Sequence, residues 1–447
     1  MARRSSSSAT NRRFRGLRAA RLAVLALLGL ACSDPRLHRR PADVVFSVGV
    51  WDGAGGPPQS SGPVTLAFGA AEAGPAAVVA AYLARPVVVD GDPAEWSAIP
   101  ASEIPISSAG ARTGLTEADF YCRYRSRLAL VTDPFTGASG CPTACDPANR
   151  PATRDEASAG CSLPFPRFDH DVARLTVKAG YDEHRLYLLL QWPDPSEDRG
   201  ARTWRFDPDA ATWLAGSEAE DRAAVSFDGG SVPSSHAALG CAGACHLAGP
   251  IAAPAPGTPP GLIAPAYLAQ FTMHTDGDGQ RVDAWEWRAA GTDPLGLADD
   301  LFWNAQRLQG DCPTPGACLD ACLLSPAGPG CASLAPSVPN ALAGSPLYLA
   351  AGESGLGDPD LSPALLFLPG DAAPGWDPAL TAVAPAVGPF PAPVRGAATL
   401  PGLVLQRPGA HRDDVTAVGR WRDGHWTVEL SRALVTDDPA DAQFPLR

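Results

Sequence analysis

Residues 173–192 have the sequence ARLTVKAGYDEHRLYLLLQW, which predicts a β-hairpin. Leu175, Val177 and Ala179 alternate with polar residues in its first half, as expected for a strand with one buried face. A polar turn and a long apolar run ending at Trp192 follow. Because this run has too little polarity to face water on either side, it predicts a strand at the centre of a sheet.

Other segments also have strand and turn chemistry. VVVDGDPAEWSAIP at residues 87–100 combines a β-branched run with a turn of Asp, Gly and Pro, after which Trp96 enters the next element. Further short strands are expected at residues 223–227, 280–288, 402–406 and 426–430. The sequence has no heptads, no repeat of fixed period and no second apolar helix. It therefore predicts an all-β protein, built as one β-sandwich with long loop insertions.

The first 31 residues have the three parts of an export signal. Seven arginines are followed by an apolar run at residues 22–30 and the small residue Ala31. The run is too short to span a bilayer, which needs about 20 residues. Leu30, Ala31 and Cys32 resemble the end of a bacterial lipoprotein signal, so Cys32 is the predicted lipidation site. We expect an exported protein of a Gram-negative bacterium, in the periplasm or at the cell surface, held to a membrane by a lipid anchor only.

The charge balance is strongly acidic. Cleavage before Cys32 removes seven arginines and no acidic residue, which leaves 28 basic and 48 acidic side chains and a formal charge of about −20. Such a charge argues against a phosphate backbone as the partner, so we expect no nucleic-acid binding. The sequence contains no nucleophile elbow, phosphate loop or zinc-protease helix, and we predict no catalytic residue from it.

Eleven cysteines in an exported chain are expected to pair or to carry a cofactor, because the compartment is oxidising. Two groups of four lie in Pro/Gly-rich stretches, and each group predicts two local disulfides with three alternative connectivities. The groups are Cys122, Cys141, Cys145 and Cys161, and Cys312, Cys318, Cys322 and Cys331. They predict stapled insertions near residues 110–165 and 305–400 of a domain at residues 85–447, with residues 32–84 as a tether.

Cys241 and Cys245 differ from the other cysteines because His246 follows directly, in the sequence CAGACH. In covalent haem attachment, two cysteines bond the porphyrin vinyl groups and the next histidine is an axial ligand of the iron. The usual motif has two residues between the cysteines, whereas this one has three. The spacing leaves two interpretations open: a haem-attachment site, or a third local disulfide beside an incidental histidine.

A six-coordinate haem needs a second axial ligand, most often His or Met in electron carriers. Met273 is the only methionine besides the initiator, which makes it the natural candidate, and the adjacent His274 is the alternative. Met273 could equally fill a core. Trp285 and Trp287 stand two apart on a predicted strand and point to one face, where they would contact a porphyrin, a sugar or the core.

Six motifs, in this order, resemble the haem-binding domain family of the ethylbenzene dehydrogenase γ subunit and related cytochromes, which includes DMSO reductase-like haem-binding domains. They are VDGDPAEW at residue 89, VKAGYDEHRLYLLLQWPDP at 177, EDRAAVSFD at 220, GCAGACH at 240, VDAWEWRAAGTDPLGLADD at 282 and GRWRDGHWTVELSRALVTDDPADAQF at 419. The resemblance covers most of residues 85–445.

The resemblance implies an immunoglobulin-like or carbohydrate-module-like β-sandwich that binds haem and transfers electrons in the periplasm, often beside a molybdenum enzyme. It implies that Cys241, Cys245 and His246 attach the haem and that the segment of Met273 lines the pocket. Some members hold haem b without covalent bonds, and the two cysteines favour a c-type haem here. The implied role is that of a non-catalytic electron carrier whose redox partner is a molybdenum enzyme or another cytochrome.

The resemblance also raises a question of connectivity. The family usually continues past the DAQF motif with another strand, whereas this sequence stops three residues later, at Arg447. FSVGVWDGAGG at residue 46 looks like that strand. We expect it to close the sheet in a permuted arrangement, paired with the strand near Trp426.

A function of another class fits the same fold, namely a non-catalytic carbohydrate-binding β-sandwich module of the cell surface. In that case Trp96, Trp192, Trp285 and Trp287 would form an exposed platform on which sugar rings stack. The two hypotheses predict different visible spectra, because only a haem protein is coloured.

Overall fold

The computed structural model describes seventeen segments of the chain. They are residues 39–53, 59–69, 77–106, 117–129, 138–146, 148–162, 165, 174–207, 210, 212–228, 280–304, 307–310, 336–339, 364–367, 399–406, 408 and 411–447. All statements about the structure below refer to these residues.

The described residues form nineteen strands, two α-helices and two 3-10 turns. The strands are β1 (Val44–Trp51), β2 (Gln59–Ser60), β3 (Val64–Phe68), β4 (Ala77–Tyr82), β5 (Ser102–Pro105), β6 (Arg174–Tyr181), β7 (Arg185–Pro193), β8 (Trp204–Asp207), β9 (Thr212–Ala215), β10 (Arg222–Asp228), β11 (Val282–Arg288), β12 (Leu297–Asn304), β13 (Arg307–Gly310), β14 (Ser337–Pro339), β15 (Ala364–Phe367), β16 (Thr399–Leu400), β17 (Leu403–Gln406), β18 (Val415–Arg422) and β19 (His425–Ala433). The helices are α1 (Glu117–Leu128) and α2 (Arg154–Ser158), and the 3-10 turns are Pro93–Ala98 and Asp293–Leu295.

Ten of the strands form one closed ring by backbone hydrogen bonding. The order around the ring is β10, β11, β12, β18, β19, β7, β6, β4, β3, β1 and back to β10. Neighbours are antiparallel except for the β3–β4 and β4–β6 pairs, which are parallel. The prediction of an all-β protein is confirmed. The two separate sheets of a sandwich are not seen in the described strands, because β1 joins β3 to β10 and closes the sheet into a barrel.

Strand β1 lies in a different place from the one predicted. It does join two edges of the sheet, but its neighbours are β3 and β10, so the predicted pairing with the strand of Trp426 is wrong. The physical reason is that β19, which carries Trp426, already has β7 on one edge and β18 on the other. Residues 44–82 also contribute β1 to β4 to the sheet, so this part of the predicted tether belongs to the folded domain.

The hairpin that the sequence predicts most clearly is confirmed. It is formed by β6 and β7, and β7 lies between β6 and β19 in the ring. The apolar run of β7 is buried over Leu186–Leu190, as a central strand requires. The other expected strands near residues 223–227, 280–288, 402–406 and 426–430 correspond to β10, β11, β17 and β19, with ends shifted by at most three residues.

The segment at residues 87–100 differs from its prediction. Its turn is present, with Gly91 at a φ of 77°, but the β-branched run before it is not a strand. The N–H groups of Asp90 and Gly91 donate to the Glu429 carboxylate at 2.8 and 2.7 Å, so the turn is bound by a side chain of β19. Trp96 then lies in the 3-10 turn that Asp92 caps. The β-propensity of the run could not reveal this contact, because the partner is a side chain distant in sequence.

The first predicted cysteine group forms two disulfides. They join Cys122 to Cys145 and Cys141 to Cys161, which confirms one of the three alternative connectivities. Both bonds staple a small unit of α1 and α2, and Arg125 donates to carbonyl groups on its other segments. The second group, at residues 312–331, lies outside the described residues.

Among the residues that the structure describes, no helix is both long and apolar enough to cross a membrane.

Candidate functional site

The predicted haem residues belong to the connection between β10 and β11. This connection leaves the barrel after Asp228 and returns at Val282, and these two residues are paired neighbours in the ladder. The predicted ligands and attachment residues are in the part of it that the structure does not describe: Cys241, Cys245, His246, Met273 and His274. Cys32 is outside the described residues as well. The structure therefore shows at which end of the barrel the connection that carries these residues begins and ends.

Trp285 and Trp287 lie on one face of β11, as predicted, and this face points into the barrel. Both side chains are fully buried. The ring of Phe227 lies 4.6 Å from that of Trp285, and the guanidinium carbon of Arg432 lies 4.9 Å from the centre of the same indole. Both indoles are thus core side chains in this structure. Their predicted contact with a porphyrin stays a prediction.

Trp287 packs with Trp192 and Trp426 in an aromatic cluster whose ring centres are 4.9 to 6.3 Å apart. Trp426 Nε1 donates to Asp221 Oδ2 at 2.8 Å, and Trp287 Nε1 donates to Asp293 Oδ1 at 2.9 Å. Buried indole N–H groups need such partners because an unpaired donor is costly away from water.

The four tryptophans of the carbohydrate hypothesis do not form an exposed platform. None of their side chains is more than 1% exposed: Trp96, Trp192, Trp285 and Trp287. A sugar ring stacks on an indole face that solvent can reach, so these faces are not available for stacking. The structure gives no support to this binding surface.

Arg432 of β19 is the centre of a buried ionic cluster next to Trp285. Its Nη1 lies 2.7 Å from Asp283 Oδ2, 3.4 Å from Asp300 Oδ2 and 3.2 Å from Asp441 Oδ1. Its Nη2 donates to the carbonyl oxygen of Ala442 at 2.6 Å. The guanidinium is fully buried, and the three carboxylates are at most 4% exposed. One cation thus faces three anions at the barrel end from which the connection to the predicted haem residues leaves.

The ionic cluster has an excess of negative charge that burial makes expensive. The pKa of Asp283 is raised to about 7, chiefly by burial; Arg432 opposes the shift and the Asp441 carboxylate adds to it. Burial also raises the pKa of Asp300 well above its ordinary value. Asp283 Oδ1 and Asp300 Oδ1 accept no hydrogen bond from the described residues. The arrangement can therefore hold a proton near neutral pH.

Sequence reasoning missed Arg432 and its carboxylates, although one signal was present. Asp283 is two residues before Trp285, so it has the same strand phase as the two inward-facing tryptophans. A charged residue in that phase indicates a buried ion pair. Its partner is 149 residues away along the chain, and no local pattern could identify it.

Comparison with known proteins is consistent with the predicted motifs. A family model described as ethylbenzene dehydrogenase matches residues 94–318 and 362–447, well over half of the chain. A search of curated proteins finds no match. The matched ranges include the CAGACH motif, Met273, β11 and β19, whereas β1 to β4 precede them. The chain belongs to the ethylbenzene dehydrogenase family.

Proposed function

We propose that this protein is a haem-binding electron-transfer subunit that passes electrons to or from a redox partner outside the cytoplasm. Its partner would be a molybdenum oxidoreductase or another cytochrome, and the partner would perform the catalysis. The protein would reach the periplasm or cell surface through its signal and be held there by lipid on Cys32. The observation that carries this proposal is the CAGACH motif inside the range that matches the family.

The donor set of this segment fits a haem. Two thiols followed by an imidazole suit covalent attachment and one axial bond, and a thioether is a common second ligand in electron carriers. Cys241 and Cys245 would hold the porphyrin, His246 would bind the iron, and Met273, or alternatively His274, would complete the coordination. When bound, the haem supplies a one-electron couple. Haem b, held without the thioether bonds, is the alternative form of the cofactor.

The strands on either side of this segment give the proposal a structural context. The connection that carries these residues starts and ends on β10 and β11, which pair over seven residues. Their interior side chains, Phe227 and Trp285 among them, are fully buried. The Arg432 cluster lies at the same end of the barrel.

The experiment is to express the full chain with haem-attachment machinery and record a reduced-minus-oxidised visible spectrum. We expect cytochrome absorption bands and a pyridine haemochrome of the c type. Replacing both thiols, Cys241→Ala with Cys245→Ala, should abolish covalent haem, and His246→Ala should change the spectrum of the iron. His184→Ala is the matched control, because His184 is exposed in the turn between β6 and β7.

The second ligand is tested separately. Met273→Leu should lower the reduction potential if the thioether binds the iron, because Met raises the potential relative to other ligands. A shift on His274→Ala and none on Met273→Leu would assign the ligand to His274. A colourless chain that also binds no added haemin would overturn the proposed function.

A further inference from the structure

A second group of carboxylates lies at the other end of the barrel. Asp52 directly follows β1, Asp194 and Asp198 follow β7, and Asp221 directly precedes β10. One carboxylate oxygen from each of the four lies within 4.8 Å of the others. Asp221 directly precedes β10 and Asp228 is its last residue. At about 3.3 Å per residue, these two residues lie roughly 20 Å apart. The group is therefore separate from the connection that carries the predicted haem residues.

Three of these carboxylates, those of Asp194, Asp198 and Asp221, differ from the Arg432 cluster in their charge balance within the described part of the chain. Among the described residues, no arginine or lysine forms an ion pair with Asp194, Asp198 or Asp221. Asp194 is 2% exposed and Asp221 is fully buried. Buried charges are normally paired or bound to a metal, because their desolvation is otherwise uncompensated.

Asp194 has a buried oxygen without a partner. Its Oδ1 accepts a hydrogen bond from Ser196 N at 3.1 Å, whereas its Oδ2 has no hydrogen-bond donor within the usual distance and angle limits among the described residues. An unpaired carboxylate oxygen that is buried among other carboxylates is unfavourable unless a proton or a cation binds there.

Asp221 is held in place by three donors. Its Oδ1 accepts from Gly53 N at 2.6 Å, and its Oδ2 accepts from Asp198 N at 2.7 Å and from Trp426 Nε1. The pKa of Asp221 is raised to about 8 and that of Asp194 to about 6, chiefly by burial; backbone hydrogen bonds oppose the shifts and neighbouring carboxylates add to them. Without a cation these groups therefore take up protons near neutral pH.

We propose that Asp52, Asp194, Asp198 and Asp221 bind a calcium ion. The four donors are carboxylate oxygens, which are the preferred ligands of hard cations such as Ca²⁺. Zinc and copper sites usually contain imidazole or thiolate ligands as well. Oxygens within 4.8 Å of one another match the span across Ca²⁺, whose bonds are about 2.4 Å long. Magnesium requires shorter bonds and a near-ideal octahedron. The ion joins the end of β1 to the segments after β7 and before β10.

The test compares the thermal unfolding of the EGTA-treated full chain with and without added CaCl₂. We expect the midpoint to rise by about 5 °C at saturating Ca²⁺, because an ion that binds only the folded state stabilises it. KCl at matched ionic strength should not reproduce the rise, and MgCl₂ should produce a smaller one. Terbium gives a second readout: Tb³⁺ bound beside Trp426 should luminesce on tryptophan excitation, and Ca²⁺ should displace it.

Asp194→Asn separates ion binding from a purely structural role. The variant keeps the shape of the side chain but loses the charge, so in EGTA it should be at least as stable as the wild type. It should lose the calcium shift and most of the terbium signal. Asp437→Asn, at an exposed carboxylate, is the matched control and should retain both.

Three results would overturn the proposal. They are a wild-type chain whose unfolding midpoint and terbium signal ignore Ca²⁺, an Asp194→Asn variant that keeps both responses, and an equal midpoint shift with Mg²⁺. None of these readouts uses haem absorbance, so the calcium site and the electron-transfer function can fail independently.

Discussion

At the scale of single residues, the stability of the barrel depends on a few buried side chains whose opposite charges compensate one another. Arg432 is the clearest case, because one fully buried guanidinium contacts three buried carboxylates and lies over the ring of Trp285. Removing one partner from such a cluster leaves charges that neither water nor protein compensates. The mutational cost should therefore greatly exceed that of an exposed ion pair.

Arg432→Met tests this dependence. Loss of the guanidinium leaves Asp283, Asp300 and Asp441 facing one another, and we expect the free energy of unfolding to fall by about 3–5 kcal/mol. Urea unfolding followed by tryptophan fluorescence measures the change. Arg422→Met, at an exposed position on β18, should change it by less than about 0.5 kcal/mol. Equal effects of the two substitutions would contradict the role assigned to Arg432.

The pH dependence of stability belongs to the same cluster. The pKa of Asp300 is raised in the folded chain, so the folded state binds this proton more tightly than the unfolded state does. The stability that this proton contributes to the folded state is fully present below about pH 4, the ordinary pKa of an unfolded aspartate. It is lost as the pH rises through the pKa of Asp300 in the folded chain. The same sign holds for Asp283, whose pKa is about 7.

Asp300→Asn should flatten this dependence. We expect wild-type stability to fall between pH 5 and pH 8 in part through these groups, and the variant to lose less over the same range. Urea titrations at several pH values, in EGTA, measure both slopes. Asp437→Asn should keep the wild-type slope, and an Asp300→Asn slope identical to it would show that Asp300 does not hold the proton.

At the scale of elements, close packing between strands requires small residues at defined places. Gly419 of β18 lies against the Trp287 indole of β11, and a Cβ at this position would be 2.1 Å from Trp287 Cζ2. Trp287 cannot move aside easily, because its Nε1 is bound by Asp293 and its ring packs against Trp426. The backbone of Gly419 is bound by the same Asp293 carboxylate, at 2.6 Å.

Gly419→Ala should therefore destabilise the barrel. We expect a loss of about 1–3 kcal/mol, the usual cost of forcing an extra carbon into a packed core. Gly62→Ala is the control, because a Cβ there meets nothing within 4 Å. Denaturant unfolding and near-ultraviolet circular dichroism of the tryptophans would detect the change. A Gly419→Ala chain as stable as the control would show that the indole relaxes freely.

At the scale of the whole molecule, one strand decides whether the sheet is open or closed. β1 pairs with β10 over six residues and with β3 over three, so it covers two edges that would otherwise be unpaired. Phe46 and Val48 are fully buried and contribute to the core. Exposed strand edges promote association between chains.

Deleting residues 39–53 from the exported chain should open the ring. We expect the truncated protein to aggregate or form oligomers, because β3 and β10 then present free edges next to exposed core side chains. Size-exclusion chromatography and dye binding to exposed apolar surface measure this outcome. The chain that keeps these residues is the control, and a monomeric, cooperatively folded truncation would contradict the closing role of β1.

The sequence alone determined the local features of this protein. Alternation and continuous apolar runs identified β6, β7, β10, β11 and β19, because side-chain phase in a strand is a local property. It also identified the first disulfide group and the shared face of Trp285 and Trp287, which the structure then showed to point inward. The tertiary structure decided that β1 closes a ring, that Glu429 binds the turn at Asp90 and Gly91 while the run before it forms no strand, and that Arg432 contacts three carboxylates. Each of these depends on contacts between residues more than 100 positions apart, and the folded chain alone brings such residues together.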